Sequence, residues 1–228
     1  MLFGMYLRRL ISFAFLGAAG LVVWGCSTGT DFVANPEPWR EQEERACLVS
    51  GFVRERPWLV SRTALGGPSS YCGALQPFEM AAAGDGRVAL RPSAMLRCNM
   101  IPMVDRWVVD VVEPEVRRHY GVQLAGLKVA ASYGCRPMNN QSGGKLSEHG
   151  HANALDISEF HLADGRVVSV KQGWSGSAVD RSFLRSVHAG ACAQFTTVLG
   201  PDNDSYHRDH FHLDLARHGR DGHGRYCK

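Results

Sequence analysis

Apolar residues fall into a helical rhythm in the middle of the chain. Leu96, Met100, Val104, Trp107, Val108 and Val111 recur at three- and four-residue spacing, the mark of one buried helix face. Ser93 stands where an N-cap is expected, Pro102 predicts a kink or break, and Gly121 predicts the stop. The rhythm then shortens to two. The run 127–133 (LKVAASY) predicts a strand, and 154–160 alternates, with Leu155 and Ile157 on one face and Asp156 and Ser158 on the other. Asp164-Gly165 marks a hairpin turn, with 166–170 as the returning strand. A short helix is expected over 182–192 with Phe183, Leu184 and Val187 inward, and a further strand over 195–199.

The last alternating stretch, 210–215 (HFHLDL), puts Phe211, Leu213 and Leu215 on one face and His210, His212 and Asp214 on the other. An antiparallel sheet buried on one side and solvated on the other would then set Asp156 and His212 on neighbouring strands facing a common groove. The expected fold class is α+β: a small, largely antiparallel sheet with helices packed on one face and a groove on the other.

The N-terminus follows a different pattern. Arg8 and Arg9 precede an apolar run over 10–25, short for a spanning helix and suited to a signal-peptide core. It ends in Val23-Trp24-Gly25-Cys26, similar to a bacterial lipobox, although Trp24 departs from the small or aliphatic residue usual there. Cys26 is the candidate for lipidation, with an uncleaved anchor helix as the alternative. Either way the remainder is expected in the cell envelope: exported, periplasmic and membrane-anchored. The expected organisation is a leader over 1–26, a polar tether over 27–46 carrying Pro36 and Pro38, and one domain over 47–228.

Composition narrows the function classes. Of 228 residues, 45% are hydrophobic and 21% charged, as in ordinary globular proteins. A formal charge of +3 with no Lys/Arg block interleaved with aromatics argues against a nucleic-acid partner. There are seven cysteines. With Cys26 set aside, Cys47, Cys72, Cys98, Cys135, Cys192 and Cys227 form an even set without a Cys-x-x-Cys pair. In an oxidising compartment they are disulfide candidates whose pairing stays open, rather than zinc ligands.

The candidate chemistry is split along the chain. Ser147-Glu148-His149 is followed by Asp156 seven residues on, and much later by His207-Arg208-Asp209-His210-Phe211-His212. Two imidazoles and a carboxylate are what a catalytic zinc needs if one position is to stay open for water, whereas a closed structural site wants four protein ligands. The surplus carboxylate and histidines are equipment for acid–base chemistry.

His149-x6-Asp156 followed by His210-x-His212 resembles the LAS metallopeptidases, which include D-Ala-D-Ala carboxypeptidases and murein endopeptidases. The resemblance is closest to bacterial extensin-like C-terminal domain proteins, through SEHGHANALDISEF, Tyr133-Gly134-Cys135-Arg136, and TVLGP followed by DHFHLDL. It covers most of 47–227, and nothing in the chain is similar to the Pro-rich repeats of plant extensins. The resemblance implies that His149, Asp156 and His212 hold Zn²⁺, that His210 sits beside the reacting water or oxyanion, and that Ser147 supports the site from behind. Arg136 would stabilise oxyanion charge or grip a substrate carboxylate. Two residues compete for the general base: Asp209, matching Glu-x-x-His of the carboxypeptidases, and His207, matching His-x-x-His-x-His of the penicillin-insensitive endopeptidases. His151 competes as ligand or groove residue, and Ala152 stands where the family commonly has glycine.

The function so implied is zinc-dependent cleavage of D-amino-acid-containing peptide bonds in peptidoglycan. The alternative is a non-catalytic, zinc-containing module that binds peptidoglycan or serves as an envelope scaffold. The retention of Arg136, His207, Asp209 and His210 favours the enzyme, since a binding module has no chemical need of them.

Overall fold

The computed structural model describes residues 32–67 and 70–228. The expected leader over 1–26, with Cys26, lies outside the described residues. Among those described, no helix is long and apolar enough to cross a membrane.

The chain begins with strand β1 (Phe32–Val33) and helix α1 (Pro38–Ser50), followed by strands β2 (Leu59–Ser61), β3 (Phe78–Ala83) and β4 (Val88–Leu96). Helix α2 (Met100–Trp107) runs through a π turn (Val108–Val112) into α3 (Glu113–Tyr120). Strand β5 (Leu124–Ala131) leads to a 3-10 turn (Met138–Asn140), β6 (Gly144–Lys145) and a second 3-10 turn (Glu148–His151). Then come β7 (Ala154–Leu162), β8 (Val167–Ser169), α4 (Val170–Gly173), α5 (Ala178–Gln194), β9 (Thr197–Leu199), β10 (Phe211–Asp214) and β11 (Tyr226–Cys227).

The fold is α+β. The main sheet has nine strands in the order β11-β9-β10-β7-β5-β4-β3-β2, with β8 hairpinned onto β7, and is larger than the sequence rhythm implied. All its pairs are antiparallel except β4–β5 and β11–β9. Its inner face meets the long helices through aromatic edges. Phe160 packs against Trp107, Phe183 and Phe211 at centroid distances of 6.2, 5.1 and 6.2 Å, all in tilted or edge-on geometries. Trp107 also donates its indole N–H to the Val187 carbonyl at 3.0 Å, tying α2 to α5.

Several sequence expectations shift. Ser93 is not a helix cap: it lies in β4 and its hydroxyl donates to Glu79 at 2.6 Å. The helix opens later, at Met100, and Pro102 neither kinks nor breaks it, because it falls in the first turn, where N–H groups have no intrahelical acceptor. Leu96 belongs to the strand. The π turn adds a residue to the helical repeat, so the buried stripe continues through Val108, Val112 and Val116, while Val111 is only half-buried. Gly190 of α5 accommodates that offset, since a Cβ there would lie 2.4 Å from Val111 Cγ1. Gly190→Ala is therefore expected to cost about 1–3 kcal/mol by overpacking, read from urea unfolding.

The strand over 127–133 begins and ends earlier, as β5. The returning strand stops at Ser169, where α4 takes over. The helix expected over 182–192 is a 17-residue element capped by Ser177, whose hydroxyl accepts from Asp180 N–H. The strand over 195–199 narrows to β9. Residues 38–46, expected as tether, form most of α1 and bury Arg40 and Glu44 against the domain. Disulfides pair Cys47 with Cys98, Cys72 with Cys135 and Cys192 with Cys227.

Candidate metal centre

The outer face of the sheet carries the site. In the antiparallel pair β7–β10, His212 lies directly opposite Asp156, and Phe211 opposite Ile157. Alternation therefore sends Phe211, Leu213, Leu155 and Ile157 to the core and the two polar side chains to the groove. Strict alternation would also turn Phe160 outward. The register shift between Lys128 and Val129 leaves Ser158 as an extra residue on β7, which changes the phase of that strand and returns Phe160 to the core, while the shift between Val129 and Ala131 leaves an extra residue on β5. The β7 bulge lies just past Asp156 and allows one strand to serve both the core and the groove.

His149 reaches the same spot from the second 3-10 turn. Ser147 precedes that turn in extended conformation, and its hydroxyl accepts the His149 backbone N–H. The turn closes on Ala152 at φ 51°, a left-handed conformation that costs a non-glycine residue about 1–2 kcal/mol. Gly150 lets the turn pack closely, since a Cβ would lie 2.7 Å from Leu146 Cδ1 and 3.3 Å from Cys72 Sγ and would push the leucine aside.

His149, Asp156 and His212 converge, with one donor atom from each lying within 4.8 Å of the others. His149 Nε2 is 3.1 Å from Asp156 Oδ2 and 3.2 Å from His212 Nδ1, while His212 Nδ1 is 2.9 Å from Asp156 Oδ1. The remaining ring nitrogens are occupied behind the site. His149 Nδ1 donates to the Ser132 carbonyl. His212 Nε2 bonds Asp214 Oδ2 at 2.8 Å, and Asp214 in turn accepts the Ala216 N–H at 2.9 Å. Each imidazole thus has its second nitrogen fixed and one nitrogen aimed inward, as metal-ligating histidines do. The donor set fits a tetrahedral divalent ion with one open position.

The site is strongly polarised. Burial opposes the charged forms of both His212 and Asp156. Hydrogen bonds to Asp156 and Asp214 nevertheless raise His212 to about 10. The charges and hydrogen bonds of His149 and His212 hold Asp156 well below the usual carboxylate range. The buried carboxylates thus create a place for positive charge.

A cavity of about 540 Å³ opens over this cluster, lined also by Arg136, Ser147, Asp204, Tyr206, His207 and His210. His207 is buried, and its Nδ1 donates to Asp204 Oδ1 at 2.7 Å. Its ring centroid lies 5.3 Å from that of His210 and 5.7 Å from that of His212. Burial lowers the His207 pKa, outweighing Asp204. His210 Nδ1 bonds Asp209 Oδ1 at 2.8 Å, and its Nε2 lies 3.6 Å from Asp156 Oδ2. Asp209 itself is 59% exposed in its side chain and lines no part of the cavity. Arg136 lines the rim and, among the described residues, pairs with no carboxylate. Its backbone carbonyl accepts from Ser147 N–H at 3.1 Å.

His151 faces the opposite side of its turn, into a separate cavity with Arg40 and Arg97. Burial, assisted by those two guanidiniums, lowers it to about 3. A second His/Cys grouping, His188 with Cys192 and Cys227, offers no thiolate because its cysteines are bonded to each other. Two participants escaped the sequence reading. Asp204 was detectable as the residue three before His207, while the Ser132 carbonyl belongs to the backbone and leaves no residue-type signal.

A family model described as extensin-like protein C-terminus matches residues 46–228. No curated protein and no solved structure matches the chain.

Proposed function

The chain belongs to the extensin-like protein C-terminus family, and we propose that it is a zinc-dependent peptidase acting on D-amino-acid-containing bonds of peptidoglycan. The observation that carries this reading is the buried His149–Asp156–His212 cluster with both outer ring nitrogens already engaged. His149 Nε2, Asp156 and His212 Nδ1 would hold the ion. When bound, it would supply Lewis acidity, polarising a carbonyl and acidifying water.

The protein's own groups divide the remaining work. Asp204 holds His207 at Nδ1 and leaves Nε2 as the acceptor of a proton from water. That geometry favours His207 over Asp209 as base, because Asp209 is spent on His210 and faces solvent. His210, oriented by Asp209, presents Nε2 beside Asp156 and is placed to hydrogen-bond developing oxyanion charge. Arg136 at the rim is suited to grip a carboxylate of the substrate or to share that charge. The resemblance to LAS peptidases supports the peptidoglycan substrate, and an exported, tethered protein would meet it.

Asp214→Asn keeps an acceptor for His212 Nε2 but removes its charge. It is expected to weaken zinc about 10–100-fold in a competition titration with a chromophoric chelator. Incubating the purified protein with intact peptidoglycan, with zinc or with excess chelator, tests the function. Chromatography should reveal new muropeptides only with zinc. Sedimentation with the wall and no product under either condition would instead favour a binding module.

A further inference from the structure

The turn that presents His149 is gripped from outside by a segment that precedes the family-matched region. Strand β1 pairs in parallel with β6, setting Phe32 against Gly144 and Val33 against Lys145. The Val33 carbonyl then accepts Leu146 N–H at 2.9 Å. The backbone just before Ser147 is thereby extended and fixed. Just beyond this contact, Glu148 meets α1. The Arg40 guanidinium forks onto its carboxylate, Nη1 to Oε2 at 2.7 Å and Nη2 to Oε1 at 2.5 Å.

Neither partner is a surface charge: the side chains of Arg40 and Glu148 are 10% and 16% exposed. Glu148 spends its remaining capacity on Asn153, whose Nδ2 donates to Oε2 at 2.6 Å, so the carboxylate also spans the two ends of the turn. Behind Arg40, its own carbonyl accepts from Arg97 Nη2 at 2.6 Å, and Arg97 also pairs with Glu44. The Cys47–Cys98 disulfide anchors the far end of α1. The helix is thus a braced support, and Arg40 is the point where it bears on the turn.

We propose that residues 32–44 form a positioning arm, acting through the Arg40–Glu148 fork and the β1–β6 ladder to hold His149 in ligating geometry. Arg40 and Glu148 touch neither metal nor substrate in this account; they act through His149. As an effect on zinc affinity the proposal rests on the metal reading above, whereas its effect on the turn does not. A bidentate pair with little solvent around it restricts both the position and the orientation of the carboxylate it holds.

The test is hydrogen–deuterium exchange on the chelator-treated full chain, comparing wild type with Arg40→Met and Arg40→Lys, followed by zinc titration. Arg40→Met should speed exchange of the amides at 147–152 by about tenfold or more, leave those of β5 and β10 unchanged, and weaken zinc by about tenfold. Arg40→Lys retains the charge without the fork and should move the same amides in the same direction. It also serves as the readout if the methionine variant fails to fold. Unchanged exchange at 147–152 in a folded variant, or acceleration spread evenly over the sheet, would overturn the arm. If wild type takes up no zinc, the metal reading fails, and the exchange pattern still decides the arm on its own.

Discussion

His149→Ala is expected to abolish stoichiometric zinc binding and, with it, cleavage of muropeptides. The imidazole stands between the Ser132 carbonyl on one side and Asp156 and His212 on the other, so its loss leaves the three-donor cluster one ligand short. His151, two residues on, opens into a different cavity and offers no rescue. Protein zinc sites contribute on the order of 10 kcal/mol. One ligand of three then carries about 3 kcal/mol, a loss of more than about a hundredfold in affinity. Metal analysis after dialysis and chromatography of digested peptidoglycan read the two effects separately. A folded variant that still holds one equivalent of zinc would remove His149 from the ligand set. One that loses zinc but still cleaves would separate the metal from the chemistry.

The largest effect on stability is expected at Glu44→Ala. Glu44 is 1% exposed, pairs with Arg97 at 2.9 Å and accepts Gln76 N–H at 3.2 Å. Arg97 is 4% exposed, and its Nε has no hydrogen-bond partner. Burial lowers the Arg97 pKa; Glu44 opposes that effect, while nearby Arg40 adds to it. Removing the carboxylate would leave a buried guanidinium without its counter-charge, at about 3–5 kcal/mol. Total stability for a domain is only about 5–15 kcal/mol, so the urea midpoint should fall steeply. Glu44→Met combined with Arg97→Met removes both charges and should recover most of the loss. A single-variant loss below about 1 kcal/mol would mean that water reaches the pair.

The strands that build the site were legible where one face is buried and the other wet. Leu155 and Ile157 against Asp156, and Phe211 and Leu213 against His212, announce their faces by alternation, and antiparallel pairing makes the two polar residues neighbours. Phe160 defied the same rule because a bulge depends on backbone hydrogen bonding rather than residue type. Ser93 and Leu96 read as the start of a helix because a strand running close to a helix can supply apolar residues at matching intervals. The π turn was equally hidden: one extra residue per repeat leaves the composition unchanged while exchanging Val111 for Val112 at the core. Helix α1 reads as polar tether because its buried residues are Arg40 and Glu44, and hydrophobic patterning is blind to a face buried through ion pairs. Disulfide connectivity required the fold itself.

The claim that His149, Asp156 and His212 form one open zinc site is tested most directly by a zinc K-edge X-ray absorption spectrum of the protein loaded with one equivalent. The expected first shell is about four nitrogen and oxygen atoms at about 2.0–2.2 Å, with outer-shell scattering from two imidazoles that halves in His212→Ala. Sulfur scattering at about 2.3 Å, or a shell without imidazole signal, would place the zinc elsewhere and contradict the account.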